Sequence, residues 1–232
     1  MVTYSLSKVC LAVCLAIVAV SGATIGKVSY VEGEVVIVEN GKEKQLKVNQ
    51  KIDLGDQIRT GIESVLEVTY TKGTVIRVGE KSKVTLSGSD VANNVKVGEG
   101  RVWANVQKLA SGQFRVTTPV ATAAVRGTVF RVESGDDSSS TIALYEGKVD
   151  VGPADTTKIK PQAAPSGWGP PVEVAGPYEV TMETWIKLDP GSEINVRWGG
   201  KFATREINKD EDAANRWIAF NVKRDQELGI AR

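Results

Sequence analysis

Short alternating runs of β-branched and polar residues dominate the chain between residues 24 and 152. They are rich in Val, Thr and Ile, are bounded by Gly, Asn or Asp, and include residues 27–31, 34–38, 65–70, 74–78 and 102–106. Such runs are typical of short strands. An Asn-Gly pair at residues 40–41 lies between two apolar runs and indicates a hairpin. No stretch of this region keeps a period of 3.6 residues over three turns, so the pattern predicts an all-β unit.

Two sequence patterns recur within this region. An acidic residue, Gly, a charged residue and Val follow one another at residues 32–35, 99–102 and 146–149. A second pattern, Gly-Thr-Val-x-Arg-Val, occurs at residues 73–78 and 127–132. Repeated strand–glycine–strand units are typical of hairpins or coils stacked on one another. We therefore predict a β-sandwich or a short β-roll of many short strands, with the glycines in turns or bulges.

The segment after residue 152 is predicted to contain a loop and then more strands. Residues 153–171 are rich in proline and have no periodic pattern, which indicates an exposed loop or linker. Residues 178–188 and 194–198 alternate again. We therefore expect residues 172–209 to return to the same β-unit, with a separate small lobe as the alternative.

The pattern changes to a helical one near the end of the chain. Ala213, Trp217, Phe220 and Arg224 recur at helical spacing within residues 210–228. Acidic residues begin this segment and basic residues lie towards its end, as the helix dipole favours. We predict one C-terminal helix docked on the sheet through Trp217 and Phe220.

The first 23 residues have the layout of a secretory signal peptide. Lys8 precedes an apolar run at residues 9–20, and the small residues Ser21, Gly22 and Ala23 follow. The run is shorter than the ~20 residues of a membrane-spanning helix. We expect cleavage after Ala23 and a periplasmic or secreted protein. An uncleaved membrane anchor is the alternative, because only one lysine precedes the run.

Composition narrows the possible chemistry. Lys and Arg number 29 and Asp and Glu 28, so no broad field attracts nucleic acid or an anionic membrane. Histidine is absent, which excludes Ser-His-Asp and Cys-His catalysis. Cys10 and Cys14 both lie in the leader, so cleavage would also remove disulfides and thiolate metal sites. We expect no enzyme activity, no catalytic residue, no cofactor and no metal.

Individual polar and aromatic residues could still form a site. Asp56 is expected to cap backbone N–H groups of a turn, and Arg126 to bind loop carbonyls or a carboxylate. Residues 136–140 (DDSSS) lack the spaced ligands of a calcium loop and are predicted to be a solvated hairpin loop. Stacking on sugar rings is the alternative function that scattered tryptophans suggest. These tryptophans are Trp103, Trp168, Trp185 and Trp198.

Five motifs follow one another along the chain: GDQIRTG at residues 55–61, GTVIRV at 73–78, VGEGRV at 97–102, TTPVATAAVRGTVFRV at 117–132 and LYEGKV at 144–149. In this order they resemble the FecR domain. The resemblance covers about residues 27–152 and implies a periplasmic, non-enzymatic, all-β module of envelope signalling proteins. The family-motif positions, for which we expect structural roles, are Gly55, Asp56, Thr60, Gly61, Gly73, Gly100, Pro119, Arg126, Gly127, Thr128 and Gly147.

The resemblance also indicates how such a protein would act. The best-known FecR proteins relay the occupancy of an outer-membrane receptor to a sigma factor, which a cytoplasmic N-terminal segment contacts. Only residues 1–8 precede the apolar run here, so we expect an exported module without that segment. The leading hypothesis is a binding or scaffold module that contacts another envelope protein. The alternatives are a carbohydrate- or peptidoglycan-binding module and a membrane-anchored signalling regulator.

Overall fold

The computed structural model describes residues 23–39, 41–70, 73–89, 92–108, 114–135, 137–154 and 185–230. The described residues form seventeen strands, a short 3-10 turn at Trp198–Gly200 and two helices. The strands before residue 92 are β1 (Thr24–Glu32), β2 (Val35–Glu39), β3 (Lys42–Gln45), β4 (Lys51–Asp53), β5 (Gln57–Thr60), β6 (Val65–Tyr70), β7 (Val75–Val78) and β8 (Lys83–Ser89). The remaining strands are β9 (Ala92–Val106), β10 (Phe114–Thr117), β11 (Ala121–Val125), β12 (Thr128–Ser134), β13 (Ser139–Glu146), β14 (Val149–Pro153), β15 (Ile186–Leu188), β16 (Ser192–Arg197) and β17 (Phe202–Glu206). The helices are α1 (Lys209–Ala214) and α2 (Arg216–Glu227).

The strands form two stacked sheets that share one long strand. The front sheet has the order β4-β1-β6-β7-β9-β12-β13-β16-β17. The back sheet has the order β3-β2-β5-β8-β9-β10-β11-β14-β15. All pairs are antiparallel except β9 with β10. Residues 92–99 of β9 pair in the back sheet and residues 100–106 in the front sheet.

Gly100 makes this crossing possible. Its φ is +98°, a conformation that side chains disfavour, and a Cβ atom there would lie 2.5 Å from Ser82 Cα. The strand can therefore change sheets at residue 100 and bring both sheets over one core. That core contains Val28, Leu66, Val102, Phe114, Phe130 and Leu144, each fully buried.

The predicted fold class is confirmed: the protein is an all-β sandwich of many short strands with a C-terminal helix docked on it. The expected single helix at residues 210–228 is corrected, because Asn215 separates two helices. Asn215 is extended (φ −80°, ψ 111°), and its side-chain oxygen accepts hydrogen bonds from the backbone N–H groups of Trp217 and Ile218. Asn208 caps α1 in the same way. An asparagine side chain competes with the helical backbone in this manner and favours a cap.

Several sequence predictions lie wholly or partly outside the described residues. These are the signal peptide up to residue 22, Asn40, the proline-rich segment from residue 155 and residues 172–184. The described part of residues 172–209 continues both sheets, since β15 pairs with β14 and β16 with β13. Among the described residues, no helix is long and apolar enough to cross a membrane.

Candidate functional site

One row of side chains crosses the outer face of the front sheet beneath the helices. Residues that pair directly across seven strands define it, and they are Glu67, Arg77, Trp103, Arg131, Ala143, Glu193 and Arg205. Side chains of a strand alternate between the two faces, so this row points away from the core. Glu67 and Arg77 are nevertheless 0% exposed. The row is therefore buried from Glu67 to Glu193, beneath α1 and α2, whereas Arg205 at its end is exposed.

Arg77 and Asp225 form the centre of the first polar network. Arg77 Nε donates to Glu67 Oε2 over 2.7 Å, and Arg77 Nη1 donates to Asp225 Oδ1 over 2.6 Å. The other carboxylate oxygen of Asp225 accepts from Trp103 Nε1 at 3.2 Å and Asn105 Nδ2 at 3.1 Å. Asp225 of α2 thus accepts hydrogen bonds from three side chains on two strands, β7 and β9.

Glu67 is the second point at which α2 is held. Burial opposes the ionisation of Glu67, but hydrogen bonds from Arg224, Arg77 and Ser29 outweigh it and lower the pKa of the carboxyl group. Arg224 Nε lies 3.1 Å from Glu67 Oε2, and its guanidinium lies 5.4 Å from the ring centre of Tyr30. The network therefore contains two buried carboxylates and two arginines, with no net charge.

A second network fixes α1. Arg131 Nη2 donates to Glu193 Oε2 at 3.2 Å, and Arg131 Nη1 lies 3.6 Å from Asp212 Oδ1. The hydroxyl of Tyr145 donates to Asp212 Oδ2 at 2.8 Å. Burial raises the pKa of Tyr145, so it stays protonated and remains a donor. At the end of the row, Arg205 Nε donates a hydrogen bond to Glu193 Oε1 over 2.5 Å.

Apolar contacts separate the two networks. Trp217 and Ile218 of α2 pack against Trp103 and Val129 of the sheet, and all four are buried. The guanidinium of Arg101 lies 5.3 Å from the ring centre of Trp217. The aromatic docking predicted from the helical spacing is therefore only part of the interface, and the charged part had no sequence signal.

An apolar groove opens beside these contacts. It has a volume of about 560 Å³ and lies between α1, α2 and the β15–β16 turn. Its apolar lining is Ile207, Ala213, Ile218, Ala219 and Val222, with Tyr145, Asp212, Lys209, Lys223, Gln226 and Gly191 completing it. Val222 is 43% exposed. The groove can accept an apolar side chain from another molecule, and its two lysines favour acidic neighbours of that side chain.

The family-motif residues are spread over the turns of the sandwich. Asp56 Oδ2 accepts from the backbone N–H of Asp53 at 2.8 Å, while burial raises the pKa of Asp56. Thr60 Oγ1 donates to Gly79 O, and Thr128 Oγ1 donates to Lys148 O. Arg126 is exposed after β11, and Pro119 lies in the turn between β10 and β11. Positive φ angles from +66° to +98° occur at Gly55, Gly73, Gly100, Gly127 and Gly147, whereas Gly61 donates its N–H to Glu34 O.

The other residues that the sequence suggested as possible site residues are also far apart in the structure. Asp137 Oδ1 accepts from Ser139 Oγ and Ser139 N, which lowers the pKa of Asp137, while Asp136 lies outside the described residues. Among the tryptophans, Trp103 is buried, Trp185 is 49% and Trp198 62% exposed, and Trp168 lies outside the described residues. Within the described ranges no three His, Cys, Asp or Glu residues are grouped to hold a metal ion.

Residues 56–150 match the family model of the FecR protein. The chain contains a FecR domain. The match begins just before β5 and ends within β14, so β15–β17 and both helices follow the FecR domain in the chain. The polar row therefore joins residues of the FecR domain to residues beyond it.

Solved structures show the same fold at low sequence identity. Two crystal structures of a candidate anti-sigma factor from Parabacteroides distasonis match with a TM-score of 0.50 and 19% identity. Each covers 68% of this chain, and the chain spans less than two thirds of theirs, 63% and 62%. A cell surface anchoring domain matches 28% of this chain at a TM-score of 0.27. The search of curated proteins gave no match.

Proposed function

We propose that this protein is an exported FecR-type module of the cell envelope that acts by binding another protein, without enzymatic activity. The FecR domain supports a signalling role at the envelope. Export is proposed from the leader at residues 1–23 and cleavage after Ala23. The likeness to a candidate anti-sigma factor is a likeness of fold, and it is compatible with a regulatory role.

The apolar groove beside α2 is the observation that carries the binding proposal. Most of the outer face of the front sheet is closed by ion pairs and aromatic contacts, whereas the groove leaves Val222 and Ala219 open. An open apolar groove rimmed by polar residues is typical of a protein-binding surface. We therefore place the partner's contact at this groove, with an apolar side chain flanked by acidic residues as the inserted element.

Site-specific photo-crosslinking in the protein's own cells tests this proposal. A photoreactive amino acid replaces Val222, and Val48 serves as the matched control because it is also an exposed valine, 51% exposed, in the β3–β4 turn. We expect one discrete envelope protein crosslinked at position 222 and absent at position 48. The added substitution Ala219→Asp should remove it. Equal products at both positions, or none at 222, would contradict the proposal.

The intact mass of the protein in soluble, membrane and secreted fractions tests export. A soluble species that begins at Thr24 supports a periplasmic or secreted module. A membrane-bound species that retains residues 1–23 would instead support the membrane-anchored regulator. This measurement is independent of the groove, so the two parts of the proposal can fail separately.

A carbohydrate- or peptidoglycan-binding module is the second candidate function. It is favoured by Trp198, which is 62% exposed in the β16–β17 turn and could stack on a sugar ring. Sedimentation with purified peptidoglycan should then carry the protein down, and Trp198→Ala should leave it in solution. Buried Trp103 cannot take this role without unfolding of α2, because α2 covers it.

A further inference from the structure

A small cavity adjoins the apolar groove, between α2 and the front sheet, and we call it the inner cavity. It has a volume of about 170 Å³. Tyr145 and Val222 line both the groove and the inner cavity, so the two spaces meet at these residues. The inner cavity is smaller than the ~300–1,000 Å³ of typical small-molecule sites. It therefore suits one side chain that enters from the groove.

A β-bulge shapes the sheet side of the inner cavity. Val129 of β12 lies opposite Asn105 of β9 on one side and opposite Glu146 of β13 on the other. Directly opposed residues direct their side chains to the same face, and Val129 packs beneath α2 on the outer face. The register of β12 with β13 shifts next to Val129, and Tyr145 is the extra residue. Tyr145 and Glu146 both line the inner cavity, although neighbours in a regular strand point to opposite faces.

The hydrogen-bond donors around the inner cavity already have acceptors. Trp103 Nε1 and Asn105 Nδ2 both donate to Asp225 Oδ2, and Asn105 Nδ2 also lies 3.1 Å from the carbonyl oxygen of Ile230. The hydroxyl of Tyr145 donates to a carboxylate of α1. Because two acceptors flank Asn105 Nδ2, the orientation of this amide is fixed. No donor on these side chains is left for a ligand.

Two acceptors, in contrast, are left for a ligand. Asn105 is 0% exposed, and its Oδ1 has no hydrogen-bond partner among the described residues. A buried polar atom without a partner is costly, so a donor there would be favourable. Glu146 is half-buried, and none of the ion pairs between described residues includes it. Asp225 is already neutralised by Arg77. The inner cavity therefore presents an amide oxygen and an uncompensated carboxylate, which are complementary to a cation with N–H donors.

We propose that the inner cavity binds the ammonium group of a lysine side chain that the partner protein supplies. In this arrangement the ammonium group donates to Asn105 Oδ1 and to the Glu146 carboxylate. The rings of Trp103 and Tyr145, with centres 4.8 Å apart, contact the lysine methylenes and attract the charge. Lysine suits the site better than arginine, because its charge is compact and its stem is flexible. The inference rests on the proposed function and deepens it, since it adds a lysine to the inserted element.

The groove and the inner cavity require opposite charges on the partner. Lys209 and Lys223 line the groove and not the inner cavity, whereas Glu146 lines the inner cavity and not the groove. The partner's segment therefore combines acidic residues over the groove with a lysine that passes Val222. A segment with the reverse arrangement would bring like charges together at both places, so the two sites provide specificity.

The ion n-butylammonium tests the site without the partner, because it reproduces the four carbons and the ammonium group of a lysine side chain. Titrated into the purified protein, it should shift the NMR signals of the Trp103 indole N–H and the Asn105 side-chain amide. The neutral 1-butanol should not produce these shifts. Glu146→Gln should weaken the binding of n-butylammonium about ten-fold, since it removes the charge. Glu99→Gln is the matched control, because Glu99 does not line the inner cavity.

A photo-crosslink in the protein's own cells tests the partner's lysine. The photoreactive amino acid replaces Ala213, which is exposed and lines the groove but not the inner cavity. The added substitution Glu146→Gln should lower the yield of the crosslinked envelope protein about ten-fold, since it removes the carboxylate that binds the lysine. Glu99→Gln should leave the yield unchanged.

Two results would overturn the lysine site. One is a titration in which n-butylammonium binds no better than 1-butanol. The other is a crosslink yield that is the same in Glu146→Gln and Glu99→Gln, and this result would leave the proposed function standing. Binding of n-butylammonium without any protein crosslinked at positions 213 and 222 would support the ammonium site and contradict the proposed function.

Discussion

Replacement of Asp225 by asparagine should release α2 from the sheet at a cost that the structure allows us to estimate. Asp225 accepts three hydrogen bonds, from Arg77, Trp103 and Asn105, and is 4% exposed. Asparagine keeps one acceptor oxygen but loses the charge and puts an NH₂ group where the other donors point. One lost charge-assisted bond costs ~1.5–3 kcal/mol, and each neutral bond ~0.5–1.5 kcal/mol. We expect destabilisation of about 3 kcal/mol, since Arg77 keeps its ion pair with Glu67 although the buried network gains a net positive charge.

Urea denaturation followed by tryptophan fluorescence measures this cost, and native-state hydrogen exchange locates it. If α2 can detach alone, its amides should lose protection while those of β12 keep theirs. Glu99→Gln is the matched control, because Glu99 pairs with Lys83 at 2.8 Å and both side chains are exposed. We expect the control to cost less than about 1 kcal/mol.

The reasoning would be refuted if Asp225→Asn stayed within the range of this control. A double-mutant cycle with Arg77→Met separates the ion pair from the packing. The double variant should cost clearly less than the sum of the single variants, because Arg77 and Asp225 are in direct contact. Additive costs would mean that the two side chains stabilise the protein independently.

Three further predictions follow from features of the sandwich. The folded-state pKa of Glu67 lies below its ordinary value of 4.5, so its contribution is complete above that pH and is lost as the pH falls through the folded pKa. Urea midpoints measured from neutral to acidic pH should therefore fall less steeply in Glu67→Gln than in the wild type. Gly100→Ala should lower the free energy of unfolding by more than ~2 kcal/mol in the same assay, because the added Cβ atom collides with Ser82. Gly55→Ala is the control: its φ is also positive (+95°) but the space around it is open, so it should cost only ~1 kcal/mol. Asn215→Ala should cost ~1 kcal/mol and lower α2 protection in hydrogen exchange, since it removes the N-cap.

Strands such as β6 and β7 could be predicted from the sequence because at least one of their faces lies in the core. The alternation of residues 65–70 and 74–78 corresponds closely to β6 and β7. The pairing of distant strands could not be predicted in the same way. β1 pairs with β6, and β13 pairs with β16 across the segment 155–184, so these contacts depend on the whole chain. Nor does any local pattern mark the point at which β9 changes sheets, apart from its glycine.

The burial of the polar row could not be predicted from the sequence, for a related physical reason. A strand with charged residues at alternate positions has the same pattern whether water or a helix covers its polar face. The sequence around Arg77 therefore does not indicate that this side chain pairs with Asp225, which lies 148 residues further along the chain. The helical spacing did indicate that Trp217 would dock, because aromatic residues on one helix face need burial. Asn215 could have been recognised as a cap, but the acidic run before it suggested an earlier helix start.

Because α2 is the last element of the chain, the sheet face that it covers is exposed while the chain is still being synthesised. Asp225 follows Arg77 by 148 residues, which synthesis at 5–20 residues per second covers in about 7–30 s. During that interval the face awaiting α2 is exposed, and it presents Glu67, Arg77 and Arg131 rather than a continuous apolar surface. Charges there keep the unfinished sandwich soluble and disfavour its association with other nascent chains. The ion pairs that fix the last helix thus also protect the chain before that helix exists.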